Sequence, residues 1–183
     1  MNEAAGRTPQ RSALFFSRQR TYASRMSNQV PNVTSSEISK EARIAIAAAR
    51  FNATIVDELL VGCVRRLIQL GVENDHIIIH RVPGAFELPL AAKALARTKR
   101  FAAVICLGAV VRGDTPHFEY VAGECARGIM DVSLSEALPV IFGVLTTNTE
   151  QQALDRIGGT HGHAGERAAE AAVEMAGLIA SVG

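Results

Sequence analysis

The apolar run AAVICLGAVV (Ala102–Val111) stops at Arg112, and the residues that follow, RGDTPH, bring an arginine, an aspartate, a threonine and a histidine to one strand end. Thr115 is a good N-cap and Pro116 suits the first helical position, which puts His117 in the first turn of a following helix. Free backbone N–H groups at a helix start form an anion site. The same partial positive charge disfavours a protonated imidazole, so a neutral ring able to exchange protons is expected there. The chemistry implied is acid–base catalysis beside a bound anion. The plainer alternative is a histidine that only closes a strand–loop–helix turn.

Three other segments carry groups of the same kind. VPGAFELP (Val82–Pro89) reads as a Pro-Gly turn into a helix beginning near Glu87. Glu87 either complements the helix dipole or accepts hydrogen bonds from a ligand, while Phe86 lines a flat apolar slot. ARFN places Phe51 at the end of a strand. With seven Phe, two Tyr and no Trp in the chain, Phe51, Phe86, Phe118 and Phe142 at or near strand ends suggest stacking on a planar ring. TTNTEQQALDRIGG carries a capping box from Thr149 to Gln152, with Arg156 at the helix end, where it meets either the dipole or a phosphate. GGTHGHAGER matches no nucleotide-loop pattern, and His161 and His163 lack the partners of a metal site, so no metal is expected.

These loops need elements to hold them. Four short apolar runs, Ile44–Ala49, His76–Val82, Ala102–Val111 and Pro139–Leu145, have the length and branching of buried strands. Each is followed by a helical pattern, the first being DELLVGCVRRLIQLGV, which stops at Gly71. Two helices are expected after the fourth run. Strands alternating with helices imply right-handed crossovers and a parallel sheet covered on both faces. The expected fold is an α/β three-layer sandwich, a doubly wound, flavodoxin-like four-stranded parallel sheet in a single domain over residues 41–183. In such sheets ligands bind beyond the carboxyl ends of the strands, where the loops above lie.

Composition narrows the partners. With 19 basic and 18 acidic residues the formal net charge is +1, which leaves no electrostatic footprint for nucleic acid. Charged residues interrupt every apolar run before it could span a membrane. Cys63, Cys106 and Cys125 show no C-x-x-C spacing and read as reduced, buried thiols of a cytoplasmic protein. Residues 1–40 differ from the rest: the first 26 hold five Arg and one Glu without apolar periodicity. That composition suits a transit peptide or a disordered extension, with Met26 as an alternative start.

Taken in order and spacing, ARFN, VPGAFELP, GAVVRGDTPHFEYV, FGVLTTNTEQQALDRIGG and GERAAEAAVEMA resemble the 6,7-dimethyl-8-ribityllumazine synthases, over Ile44 to about Ile179. The resemblance implies condensation of 5-amino-6-(D-ribitylamino)uracil with 3,4-dihydroxy-2-butanone 4-phosphate, the penultimate step of riboflavin biosynthesis, without cofactor or metal. By motif position it implies that Phe51, Ala85, Phe86, Glu87, Ala109, Val110 and Val111 hold the pyrimidine and its ribityl chain. Asp114 and Thr115 would hold the phosphate substrate, and His117 would donate the proton. Phe142 and Arg156 would come from a neighbouring subunit of a homopentamer, or of a shell built from pentamers, with riboflavin synthase as a further partner. Ala164 stands where many members have Lys in G-x-K-G. That departure keeps open a catalytically weakened homologue that binds a flavin or lumazine or forms a shell.

Overall fold

The computed structural model describes residues 38–183. The extension expected over residues 1–40, with its alternative start at Met26, lies outside the described residues but for 38–40. The first strand, β1 (Ile44–Ala49), is buried at every position. It has neighbours on both edges, because its sequence has no polar residue to offer solvent. Helix α1 (Ala53–Gln69) returns the chain to β2 (Ile77–Val82), α2 (Leu88–Arg97) to β3 (Ala103–Val111), and α3 (His117–Glu136) to β4 (Val140–Thr147). After β4 come the short α4 (Glu150–Leu154), a hairpin of β5 (Ile157–Gly159) and β6 (Gly162–His163), and the last helix α5 (Ala164–Val182).

The four main strands are parallel in the order β2-β1-β3-β4. Alternate side chains therefore enter two cores. Ile44, Ile46, Ile105 and Leu107 meet α1 and α5 on one face, with Leu59, Cys63 and Ala169. Ala45, Ala47, Val104 and Cys106 meet α2 and α3 on the other, with Leu88, Leu95 and Ile129. This is the expected doubly wound three-layer arrangement.

The structure corrects several details. Only β1 and β3 are covered on both sides. The outer strand β2 exposes His80 and Arg81, and β4 exposes Phe142 and Thr146. Charged residues on an edge strand discourage pairing with another chain. His76 sits in a 3₁₀ turn ahead of β2, and β4 runs two residues beyond the expected end, to Thr147. The β5–β6 hairpin was not foreseen; α4, at five residues, is shorter than expected, because the chain turns at Gly158 and Gly162, both at positive φ. Helix α3 ends where Ala137 takes a left-handed conformation, φ 49°.

Helices α1 and α5 pack closely. A Cβ on Gly62 would lie 2.1 Å from the His163 ring, and one on Gly165 would lie 2.1 Å from the Leu59 carbonyl oxygen. The ion pairs Arg65–Glu166 and Arg66–Glu170 run along this seam. The three thiols are free and buried. Burial pushes Cys63 up to about 12 and Cys125 up to about 11, and Cys106 higher still, so all three stay protonated.

Candidate active site

The strand order reverses between β1 and β3, and at their carboxyl ends opens a cleft of about 370 Å³. Its walls come from four consecutive parts of the chain. Phe51 follows β1; Pro83 to Glu87 follow β2; Ala109, Val110 and Val111 end β3; His117 and Val121 start α3. Phe51 and Phe86 are 70% and 57% exposed, so neither ring serves the core and both face the opening.

Main-chain and short side-chain bonds set the shape of this cleft. Arg50 N–H donates to the Val82 carbonyl at 2.8 Å and Phe51 N–H to the Pro83 carbonyl at 3.0 Å, so the turns after β1 and β2 move as one. Asn52, left-handed at φ 57°, donates through Nδ2 to the Ala109 carbonyl at 2.8 Å. Asn tolerates that conformation better than most residues. Its bond crosses to β3 beyond the point where β1 ceases to pair with it, since the β1–β3 ladder ends at Ala48 opposite Leu107. Glu87 Oε2 accepts from the Gly84 N–H at 2.9 Å and so closes the PGAFE turn, and the residue as a whole is exposed. Glu87 thus has a structural duty. It stands in the wall of the cleft as well.

His117 is the first residue of α3, exposed, and its ring has no hydrogen-bond partner among the described residues. Pro116, not Thr115, takes the cap position, and no side chain caps the helix. Pro116 has φ −64° and ψ −1°, and its carbonyl accepts from the Glu119 N–H at 3.0 Å, so the first turn hangs from the proline. Asp114 and Thr115 lie exposed on the loop before His117, beside the cleft but not lining it.

Two of the four aromatics go elsewhere. Phe118 is half-buried against the α2–α3 core, and the Arg112 guanidinium lies 4.1 Å from its ring centroid. Phe142 lies on β4, opposite Cys106, 41% exposed and outside the cleft. Arg156 also lies outside it, at the end of α4, where Nη1 donates to the Gln152 carbonyl at 2.7 Å. The expected capping box is present in modified form: Thr149 Oγ1 accepts from Gln152 N–H, but the Gln152 side chain reaches back to Asn148 N–H. Ala164 begins α5, packs against the α1–α5 core, and donates its N–H to the Arg156 carbonyl at 2.7 Å. His163, against Gly62, keeps Nδ1 buried without a partner, and burial lowers its pKa from the ordinary histidine value.

Pro83, Gly84 and Val121 line the cleft but were not among the expected site residues, and Asn52, outside the lining, braces it through its bond to Ala109. Val121 had a signal, since a residue four places after His117 shares its helix face. Among the described residues, no three His, Cys, Asp or Glu side chains gather as a metal site. Among the same residues, no helix is long and apolar enough to cross a membrane.

A model of the family described as 6,7-dimethyl-8-ribityllumazine synthase matches residues 41–180. The 6,7-dimethyl-8-ribityllumazine synthase of Syntrophus aciditrophicus (strain SB) is 49% identical over 154 residues, which cover 84% of this chain and 100% of that protein.

Proposed function

The chain belongs to the 6,7-dimethyl-8-ribityllumazine synthase family, and from that premise we propose how its residues share the reaction. The enzyme condenses 5-amino-6-(D-ribitylamino)uracil with 3,4-dihydroxy-2-butanone 4-phosphate to give 6,7-dimethyl-8-ribityllumazine, phosphate and water. The uracil amine condenses with the ketone to a Schiff base with loss of one water, phosphate is eliminated, and the ring closes onto the second nitrogen with loss of a second water.

The observation that carries the assignment of the site is the pair of exposed rings, Phe51 and Phe86, in one cleft with Glu87 and His117. A flat pyrimidine is held between apolar walls, with the main chain of Ala85 and of Ala109 to Val111 within reach of its polar edge. Glu87 accepts from ribityl hydroxyls through the oxygen not engaged by Gly84. Asp114 and Thr115 present main-chain groups to the phosphate, next to the open start of α3. His117 donates and recovers protons as the Schiff base forms and the phosphate departs. Holding an amine and a ketone together contributes most of the acceleration, and the imidazole adds a smaller factor.

Phe142 and Arg156 act in the cleft of a neighbouring subunit. Both are turned away from their own cleft, on a flank that also carries exposed apolar residues. Further exposed apolar side chains, Val61 and Ile68 on α1, Met130 and Leu134 on α3, and Leu178 and Val182 on α5, suit burial between subunits. The assembly is a homopentamer or a shell of pentamers, with riboflavin synthase as a further partner. Mixing the purified chain with both substrates tests the reaction: lumazine formation with equimolar phosphate release is expected, and its absence would overturn it. A monodisperse monomer in light scattering would overturn the shared site.

A further inference from the structure

Between Arg112 and His117 the chain runs through Gly113, Asp114, Thr115 and Pro116, all exposed. No side chain of Asp114 or Thr115 forms a hydrogen bond among the described residues, and the start of α3 has no side-chain cap. The body of α3 is held by Cys125, Ile129 and Val132 in the core, but the loop itself supplies few bonds that orient the helix's first turn. Yet the residue at its near end is held more firmly than any other there. Arg112 N–H donates to the Thr147 carbonyl at 2.9 Å, Nε donates to Asn148 Oδ1 at 2.8 Å, and Nη1 donates to Glu119 Oε1 at 2.6 Å. The face of the same guanidinium covers the Phe118 ring at 4.1 Å.

Phe118 and Glu119 are the two residues that follow His117. We propose that Arg112 is a positioning residue for the reaction: gripped by Asn148 on β4's exit and holding Phe118 and Glu119, its planar guanidinium fixes the first turn of α3 and with it the His117 imidazole over the cleft. The planar group matters because an arginine can donate along its edge and stack on its face at once, whereas an ammonium does neither with fixed direction. The contacts are partly exposed, with Arg112 and Glu119 side chains 41% and 61% accessible, so they add little to global stability. Their effect is orientation. The inference rests on His117 being the proton donor.

The experiment uses the full chain and compares wild type, His117→Ala, Arg112→Ala, the double variant, Arg112→Lys and Glu119→Gln, each by kcat, KM for both substrates and thermal midpoint. Arg112→Ala is expected to lower kcat by about five- to twentyfold, as modest misplacement of a reacting group does. KM for the pyrimidine should stay within about twofold, since binding in the preformed cleft is untouched. Arg112→Lys should recover part of the loss. In the His117→Ala background, Arg112→Ala should add no more than about twofold, because two residues acting through one imidazole are not additive.

An Arg112→Ala loss of full size in the His117→Ala background overturns the inference while leaving the proton-donor reading intact. Wild-type turnover by His117→Ala overturns that reading and the inference with it, so one single variant tells the two failures apart. Should Arg112→Ala fail to fold, Arg112→Lys and Glu119→Gln decide: a several-fold fall in kcat at unchanged pyrimidine KM supports the positioning role, and wild-type kcat in both removes it.

Discussion

Two flanks of the sheet carry the candidate site, and they are built on different plans. The flank over β1, β2 and β3 is concave: loop is bonded to loop through Arg50, Phe51 and Asn52, and two phenylalanines of one chain face a single cleft. On the flank of β4 and α4 the expected residues lie outside that cleft: Phe142 is on the outer strand, and the Arg156 guanidinium donates to the Gln152 carbonyl of its own short helix. The difference teaches that exposure alone does not mark a site. An exposed ring in a closed set of walls is a receptor, and an exposed ring on a convex edge is something to be offered to another surface.

The sharpest way to break this comparison is to disable each flank separately. Arg156→Ala is expected to raise KM for the butanone phosphate by about tenfold to a hundredfold, the usual consequence of losing a charge-assisted contact to phosphate. KM for the phosphate-free pyrimidine should hardly move. Co-expressing His117→Ala with Arg156→Ala chains then tests whether the flanks meet across subunits. Mixed oligomers should regain about a quarter of wild-type sites, since some interfaces join two intact halves. No recovery would mean that both residues serve the same chain's cleft.

His117→Ala alone is expected to lower kcat toward the low end of general acid–base effects, about tenfold to a hundredfold, with pyrimidine binding by titration nearly unchanged. An unchanged rate across neutral pH would return the residue to a turn-closing role. A smaller effect is expected from Ala164→Lys. The Ala164 amide bonds to the Arg156 carbonyl, so a lysine there adds a cation near the phosphate-directed flank. The site is partly packed against the core, so the gain in phosphate-substrate KM should be about tenfold at most, and should shrink as salt rises. Equal KM at low salt would show that Arg156 suffices.

Stability supplies the weakest and cleanest contrast. Burial depresses the folded-state pKa of His163 below the ordinary histidine value, while Glu166, Arg65, Glu58 and Arg167 act on it with opposing signs. The unfolded chain therefore takes up a proton first. The contribution is fully present above about pH 6.5 and is lost as pH falls through the folded value. Wild type should lose thermal midpoint between pH 7 and 5.5 by more than His163→Asn does, as calorimetry would read. Equal slopes would show that the histidine titrates alike in both states.

Much of this was legible in the sequence, for a physical reason. A strand covered on both faces needs apolar residues at every position, so IAIAAA and AVICLGAVV announce themselves without their partners. Edges do not: IIIHRV reads as buried until one sees that, among the described residues, no strand lies beyond β2. The β5–β6 hairpin, with strands of three and two residues, is too short for any periodicity. Phe51, Phe86, Glu87 and His117 could be read from the rule of strand ends, which depends on topology alone, whereas Ala85, Ala109, Val110 and Val111 came only from the family resemblance; all eight line the cleft. Phe118 was misread because its partner, Arg112, meets it only after the loop folds back. Thr115 was expected as the cap, but Pro116 holds that position, a shift of one residue that sequence patterns do not resolve.

Strand β3 outruns β1. Ala109, Val110 and Val111 keep their ladder with β4 but pass beyond the last rung shared with β1, where Asn52 alone reaches across. The floor of the cleft is therefore main chain open along one edge. Main-chain groups are the same in every sequence that keeps the strand, so drift in the side chains at these three positions can retune fit without erasing the donors and acceptors beneath. The floor is heritable in a way the walls are not: a lineage can lose Phe51 in a single substitution, but it can lose this edge only by losing the sheet.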